Sequence, residues 1–315
     1  MKKFRVAVVG CGGIGNAHCA AWCRLEDVEL VAVCDLKEEK ARAYAEKYHC
    51  QPVFDSKDLP ADLDVVSVVT PPFAHYAVTK SLLERGLPVF CEKPLTMDVA
   101  QGEELVKIAA EKKLQLGVGF KMRFEPIFQE AKKLFPEIGT LRSIVTTKQQ
   151  KFNPRPEGAW VTRTGAMYEL SIHDFDLLSY ITGKLPQKVL AAKVAHTRGW
   201  EKDDAFNAIV DYGDGVTASL QGMYCDDTIF CFRDLTITLL GEKGYMRIER
   251  PDRIAIHTDA FRVVEIPKGT RNTFDIELEH FKNSVLGLEE NPLKAESAVA
   301  MTRLIEDIRA FDTAK

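Results

Sequence analysis

Phe4-Arg5-Val6-Ala7-Val8-Val9-Gly10-Cys11-Gly12-Gly13-Ile14-Gly15 is the stretch on which the reading of the fold turns. Its first half is a short apolar run with β-branched valines, the composition of a strand buried on both faces. Its second half fits the pattern G-x-G-x-x-G, and residues 13–25 then read as a helix. A chain that passes from strand to helix in this way turns tightly at Gly10. It leaves bare backbone at Gly12, and Gly15 lets the helix lie close to the strand. The helix start adds free N–H groups and the positive end of a macrodipole, a natural seat for phosphate. Twenty residues beyond Gly15, after a second apolar run over 28–34, stands Asp35. A carboxylate there accepts hydrogen bonds from two ribose hydroxyls and repels a 2′-phosphate. Strand, glycines and acid together predict a dinucleotide site that favours NAD, while Lys37 nearby leaves NADP open.

Working outward, the same alternation continues. Helix is expected over 38–48, strand over 65–69, helix over 73–85 ending at Gly86, strand over 87–91, helix over 97–112 and strand over 114–120. Apolar strands alternating with amphipathic helices predict parallel pairing with both faces covered. After residue 120 the pattern changes. Segments 141–151, 189–196, 205–212, 216–224, 235–240, 245–249 and 261–266 read as strands, with turns at Gly213-Asp214-Gly215 and Gly241-Glu242-Lys243-Gly244. They predict an open, mainly antiparallel sheet, closed by helices over 274–286 and 295–311. The fold class is therefore α/β. An N-terminal doubly wound Rossmann domain covers 1–120 and a C-terminal α+β domain 121–315, its last helix able to pack back on the first domain.

Composition narrows the functional classes. A chain of 315 residues is comfortable for two domains. A formal charge of -4 argues against a nucleic-acid surface, which needs clustered Lys and Arg. No apolar run is long enough to cross a bilayer. The charged start breaks at once into a glycine turn with no cleavage pattern, so a cytoplasmic protein is expected. The 8 cysteines form no CxxC pair and read as reduced thiols. His18, Cys19 and Cys23 lack a fourth ligand, so no metal is expected.

Three further clusters carry chemistry. Thr70-Pro71-Pro72 lies at the C-terminal end of a strand, where ligands bind in doubly wound sheets, and His75 follows on the first helical turn in a structural role. Cys91-Glu92-Lys93-Pro94 delivers a Glu-Lys pair to the end of the next strand. Lys93 could hydrogen-bond a substrate hydroxyl or the nicotinamide ribose, or form a surface ion pair with Glu92; Pro94 suits a cis bond that aims Lys93. If Tyr168–Asp176 is helical, Glu169, His173, Asp176 and Tyr180 form one polar stripe. A His with a carboxylate one turn to either side is arranged as a general base; a solvated face would read the same way.

The motifs GCGGIG, VCD, VVTPPFAH, CEKP, GFKMRFEP and HDFD, in this order, resemble the Gfo/Idh/MocA oxidoreductase family over nearly the whole chain. The HDFD segment is similar to its inositol dehydrogenase branch. The resemblance implies a nicotinamide cofactor held by Gly10, Gly12, Gly13, Ile14 and Gly15, with Asp35 on the ribose. Thr70, Pro71, Pro72, His75, Glu92 and Lys93 complete that set. It implies Lys93 as the catalytic lysine, His173 as the proton-transferring residue, and Glu169 beside them where the family commonly has Asp. A polyol or sugar substrate would meet Lys93, Glu169, His173 and Asp176, with Asn153 and Trp160 from the irregular stretch before the helix. Lys151, Arg155 and Arg163 lie in or near that stretch. Ser171 stands where Gly or Ala is frequent, and Ser179 where an Arg is often seen, so myo-inositol itself is not implied. The C-terminal sheet would form a homodimer or homotetramer. Two other activities fit the scaffold: NAD recycled within one turnover, and a non-catalytic dinucleotide sensor.

Overall fold

The computed structural model describes residues 3–152, 161–226 and 234–313. They form two compact units, Met1–Lys121 with Thr270–Val299, and Met122–Gly269 with Ala300–Lys315. The division read from sequence kept 270–299 with the C-terminal domain; in the structure these residues pack within the first unit.

In chain order the first unit runs β1 (Phe4–Val9), α1 (Gly13–Cys23), β2 (Val28–Cys34), α2 (Glu38–Tyr48), β3 (Gln51–Val53), β4 (Val65–Val68), α3 (Pro72–Glu84), β5 (Val89–Glu92), α4 (Val99–Lys112) and β6 (Leu116–Gly119). The six strands are parallel, in the order β3-β2-β1-β4-β5-β6. Their apolar runs are explained by burial on both faces: Val6, Val8, Val65, Val66, Val89 and Phe90 are all inaccessible to solvent. Helix α3 opens with Pro72 in its first turn, where the missing N–H costs nothing, and Asp98 caps α4 by accepting from Gln101 N–H. Strand β3 was not expected, being only three residues long and containing Pro52.

The second unit contains α5 (Pro126–Leu134), β7 (Leu141–Lys151), α6 (Val161–Thr164), α7 (Ile172–Thr182), β8 (Lys188–Ala195), β9 (Ala205–Asp211), β10 (Thr217–Cys225), β11 (Asp234–Gly241), β12 (Tyr245–Glu249), β13 (Arg253–His257) and β14 (Phe261–Glu265). The sheet order is β14-β13-β12-β11-β7-β10-β9-β8. Every pairing is antiparallel except β7 with β10. Gly213, Asp214 and Gly215 all have positive φ (77°, 52° and 75°), the left-handed turn expected there. Helix α5 and strand β13 were not anticipated. Helices α8 (Thr273–Val285) and α9 (Ala295–Thr313) end the chain.

Candidate cofactor and catalytic residues

In the first unit, the glycine loop is built as its sequence requires. Gly10 has φ 113°, and a Cβ there would lie 2.6 Å from Val69 O; a Cβ on Gly15 would lie 2.0 Å from Gly10 O. Neither position tolerates a side chain. At Gly12 and Gly13 a Cβ would meet nothing within 4 Å. Their bareness therefore answers to no neighbour in the chain and suits close approach by a pyrophosphate. Helix α1 begins without a side-chain cap and with no acid in its first turn, so the N–H groups around Gly13, Ile14 and Gly15 keep their positive field. Asp35 is held at the end of β2: Oδ2 accepts from Cys11 N–H and Oδ1 from Lys37 N–H, each at 2.9 Å. These groups fit NAD.

Thr70, Pro71 and Pro72 follow β4. His75 is buried beneath them, its Nδ1 2.6 Å from Pro94 O and its Nε2 2.8 Å from Thr70 O. One imidazole thus ties the Thr70 loop to the loop after β5. Burial pushes its pKa down, against the pull of the two carbonyls. The Lys93–Pro94 peptide is cis.

Glu92 turns inward. Its Oε1 lies 3.1 Å from His18 Nε2, and its Oε2 accepts from Lys93 N–H at 3.1 Å. Burial raises this carboxyl, but the His18 hydrogen bond and charge, with Lys121 and Lys93, outweigh it and hold the group below its usual range. Its carboxylate is thus committed within the first unit, a placement the expected cofactor contact did not foresee.

In the second unit the candidate helix departs from expectation. Met167–Ser171 is wound as a π-helix, and regular α-helix begins only at Ile172. Wider winding removes Glu169 from the α-helical i, i+4 register with His173. Nor is there a solvated stripe. Asp176 is 1% exposed and grips Arg123, with Nε donating to Oδ2 at 2.8 Å and a second contact from Nη2 to Oδ1. Asp174 is equally buried beside Lys148, whose Nζ lies 3.3 Å from Oδ1. Burial pushes the Asp174 carboxyl up to about 6, with Lys148 acting against the rise. The amphipathic reading failed because α7 is enclosed and its acids are neutralised by buried bases. Glu169 and His173 are both half-buried, and Thr164 Oγ1 lies 3.2 Å from Glu169 Oε1. Lys151 ends β7 and Arg163 is exposed on α6, while Asn153, Arg155 and Trp160 lie outside the described residues.

Sequence reading missed Lys148 and Glu277. Lys148 had a signal, since it shares the buried face of β7 with Ile144 and Thr146 in strict alternation. Glu277 had none.

A parallel sheet with this glycine loop defines a dinucleotide-binding Rossmann unit, and a separate unit carries the second sheet. The chain belongs to the Gfo/Idh/MocA oxidoreductase family: residues 4–120 match its NAD-binding Rossmann domain and residues 128–247 its C-terminal domain. It is similar to inositol 2-dehydrogenase from Rhizobium meliloti, 30% identical over 81% of this chain and 78% of that protein. It is 31% identical to UDP-N-acetylglucosamine 3-dehydrogenase from Acidithiobacillus ferrooxidans, over 70% of this chain and 67% of that protein. The solved structure of that enzyme superposes with TM-score 0.86 at 22% identity, covering 99% of each chain. The protein is an NAD(P)-dependent dehydrogenase acting on CH–OH groups, in the inositol dehydrogenase-like branch, with an NAD-binding Rossmann domain. No helix among the described residues is long and apolar enough to cross a membrane.

Proposed function

We propose that the protein oxidises a secondary alcohol on a cyclic polyol or sugar, reversibly, with NAD. The observation that carries this reading is the presence, in a chain of this family, of Lys93 in Glu92-Lys93-Pro94 together with His173 in His173-Asp174-Phe175-Asp176. The relatives named above act on ring alcohols of inositol and of a nucleotide sugar. NAD, which Gly10, Gly12, Gly13, Gly15 and Asp35 would hold, would supply the hydride acceptor for the alcohol carbon. His173 takes the hydroxyl proton on a ring nitrogen. Lys93 orients the alcohol oxygen and stabilises negative charge developing on it, and Glu169 holds a neighbouring hydroxyl. Asp176 acts on substrate only if it yields its contacts with Arg123. Cytoplasmic residence suits the chain, whose described cysteines are all free; burial pushes Cys11 up to about 12 and Cys50 up to about 11.

Screening inositols, aldoses and sugar acids with NAD for NADH formation tests the reading. Steady accumulation of NADH with a ring alcohol is expected. A sugar converted without net NADH would instead mark recycled NAD, and no turnover of any alcohol would mark a sensor. His173→Ala is expected to lower turnover by about a hundred- to ten-thousand-fold with NAD affinity kept; turnover like the wild type's removes His173 from its role.

A further inference from the structure

Helix α8 brings Glu277 into the first unit, against the inward-turned Glu92 and against His18 of α1. One ligand atom from each of the three lies within 4.8 Å of the others. His18 and Glu277 have no solvent exposure. Neither carboxylate oxygen of Glu277 has a hydrogen-bond partner in the structure, and neither has His18 Nδ1. A carboxyl in that position is heavily penalised unless a cation or a proton compensates it. His18 Nε2 and Glu92 Oε1 are 3.1 Å apart, and the set is close enough for donors that close around one ion with bonds of about 2.0–2.2 Å.

The charges point the same way. Lys121 acts on both glutamates, its ammonium 4.1 Å above the Phe274 ring, and Lys93 acts on Glu92. Lys121 balances one of the two carboxylates. His18 adds its own charge beside Glu92, so Glu277 is the carboxyl left without a partner, and only a cation or a proton compensates its burial there. Phe90 and Phe274 pack on the His18 ring, with centroids at 5.6 Å and 5.4 Å.

We propose that His18, Glu92 and Glu277 bind one divalent transition-metal ion. Imidazole with two carboxylates suits zinc, manganese or iron better than magnesium or calcium, which take oxygen ligands. The three ligands come from α1, the end of β5 and α8, so the ion staples α8 to the parallel sheet. It also fixes the Glu92 side chain, which accepts from Lys93 N–H. The ion is structural, and the alcohol chemistry does not pass through it.

The test uses the full chain stripped with a strong chelator, dialysed against zinc or cobalt, and assayed by elemental analysis. About one ion per chain is expected in the wild type, with a raised unfolding temperature. The cobalt form should show nitrogen and oxygen coordination without a thiolate charge-transfer band, which separates this site from the cysteines. Glu277→Gln and His18→Asn each remove a direct ligand and should lose at least the roughly 10–100-fold that loss of an outer-shell partner typically costs, while Cys23→Ser keeps its affinity. A wild-type chain that retains no metal at saturating zinc and cobalt overturns the proposal and leaves Glu277 as a buried neutral acid. So does a thiolate band, or undiminished binding in folded Glu277→Gln. Because the stoichiometry is read on the wild type, a variant that fails to fold does not shield the idea.

Discussion

His75 and Asp174 are single buried groups whose protonation acts on stability in opposite directions. At His75 the ring nitrogens face Thr70 O and Pro94 O, and burial holds the imidazole below its usual pKa. The unfolded chain then takes the proton more readily, near pH 6.5, so this contribution is present above about pH 6.5 and fades as the pH falls through the lower native value. At pH 8 the neutral ring donates to one of the two carbonyls, so His75→Leu leaves that carbonyl without its donor and is expected to cost about 1–3 kcal/mol. Urea unfolding from pH 8 down to 5 should show the difference between wild type and variant shrinking; a constant difference would mean that His75 does not titrate in this way. Asp174 has the reverse sign. Its native pKa of about 6 lies above that of an unfolded Asp, so stability is fully present below about pH 4 and is lost as the pH rises through 6. Asp174→Asn should remove that slope between pH 4 and 6, and an unchanged slope would place the titration elsewhere. Neither effect was legible beforehand. Sequence shows a His after two prolines and an Asp after a His, but not the carbonyls or the lysine that surround them.

Among the elements, the winding at Met167–Ser171 has a local cause that the 3.6-residue reading could not supply. Gly165 has φ 88°, and a Cβ on it would lie 2.5 Å from Asp203 Oδ1. Asp203 in turn accepts from Met167 N–H at 2.8 Å and from Arg309 Nε at 2.9 Å, while Ala166 N–H donates to Asp203 O at 2.7 Å. The start of the wide turn is therefore set by a buried Asp on the segment before β9 and an Arg on α9. Helical periodicity predicts faces, but a π-turn depends on anchors remote in sequence. Gly165→Ala forces a left-handed alanine against Asp203 and is expected to cost about 2 kcal/mol or more. Turnover should fall with it if Glu169 and His173 depend on the winding, and NAD affinity should not. A variant that loses stability but keeps the wild-type turnover per folded molecule would show that the winding is structural only.

Across the whole molecule, legibility followed the range of the interactions. The Rossmann half could be read because its strands are buried on both faces, and Gly10, Gly15 and Asp35 act within one βαβ unit. The return of 270–299 to the first unit could not be read, since the apolar stripe of α8 has no address written on it. The second sheet could be read from alternation, and its pairing registers add a further expectation. Val145 on β7 lies in one cross-strand row with Ser219 and Ile209. Leu240, Tyr245, His257 and Phe261 form a neighbouring row on the same face. Val145, Ile209, Leu240, Tyr245 and Phe261 are exposed by 36–56%, whereas Ile144, Thr146 and Leu220 on the opposite face are buried. These five apolar side chains share the face with Ser219, Thr238 and His257, and their exposure carries a cost in water that a second copy of the chain removes. A homodimer or homotetramer through this face is therefore expected. Light scattering at micromolar concentration should give a mass at least twice that of one chain, and Ile209→Lys combined with Val145→Lys should halve it or reduce it to the monomer's without unfolding the sheet. A monomeric wild type, or an oligomer indifferent to both charges, would assign the face to something other than self-association.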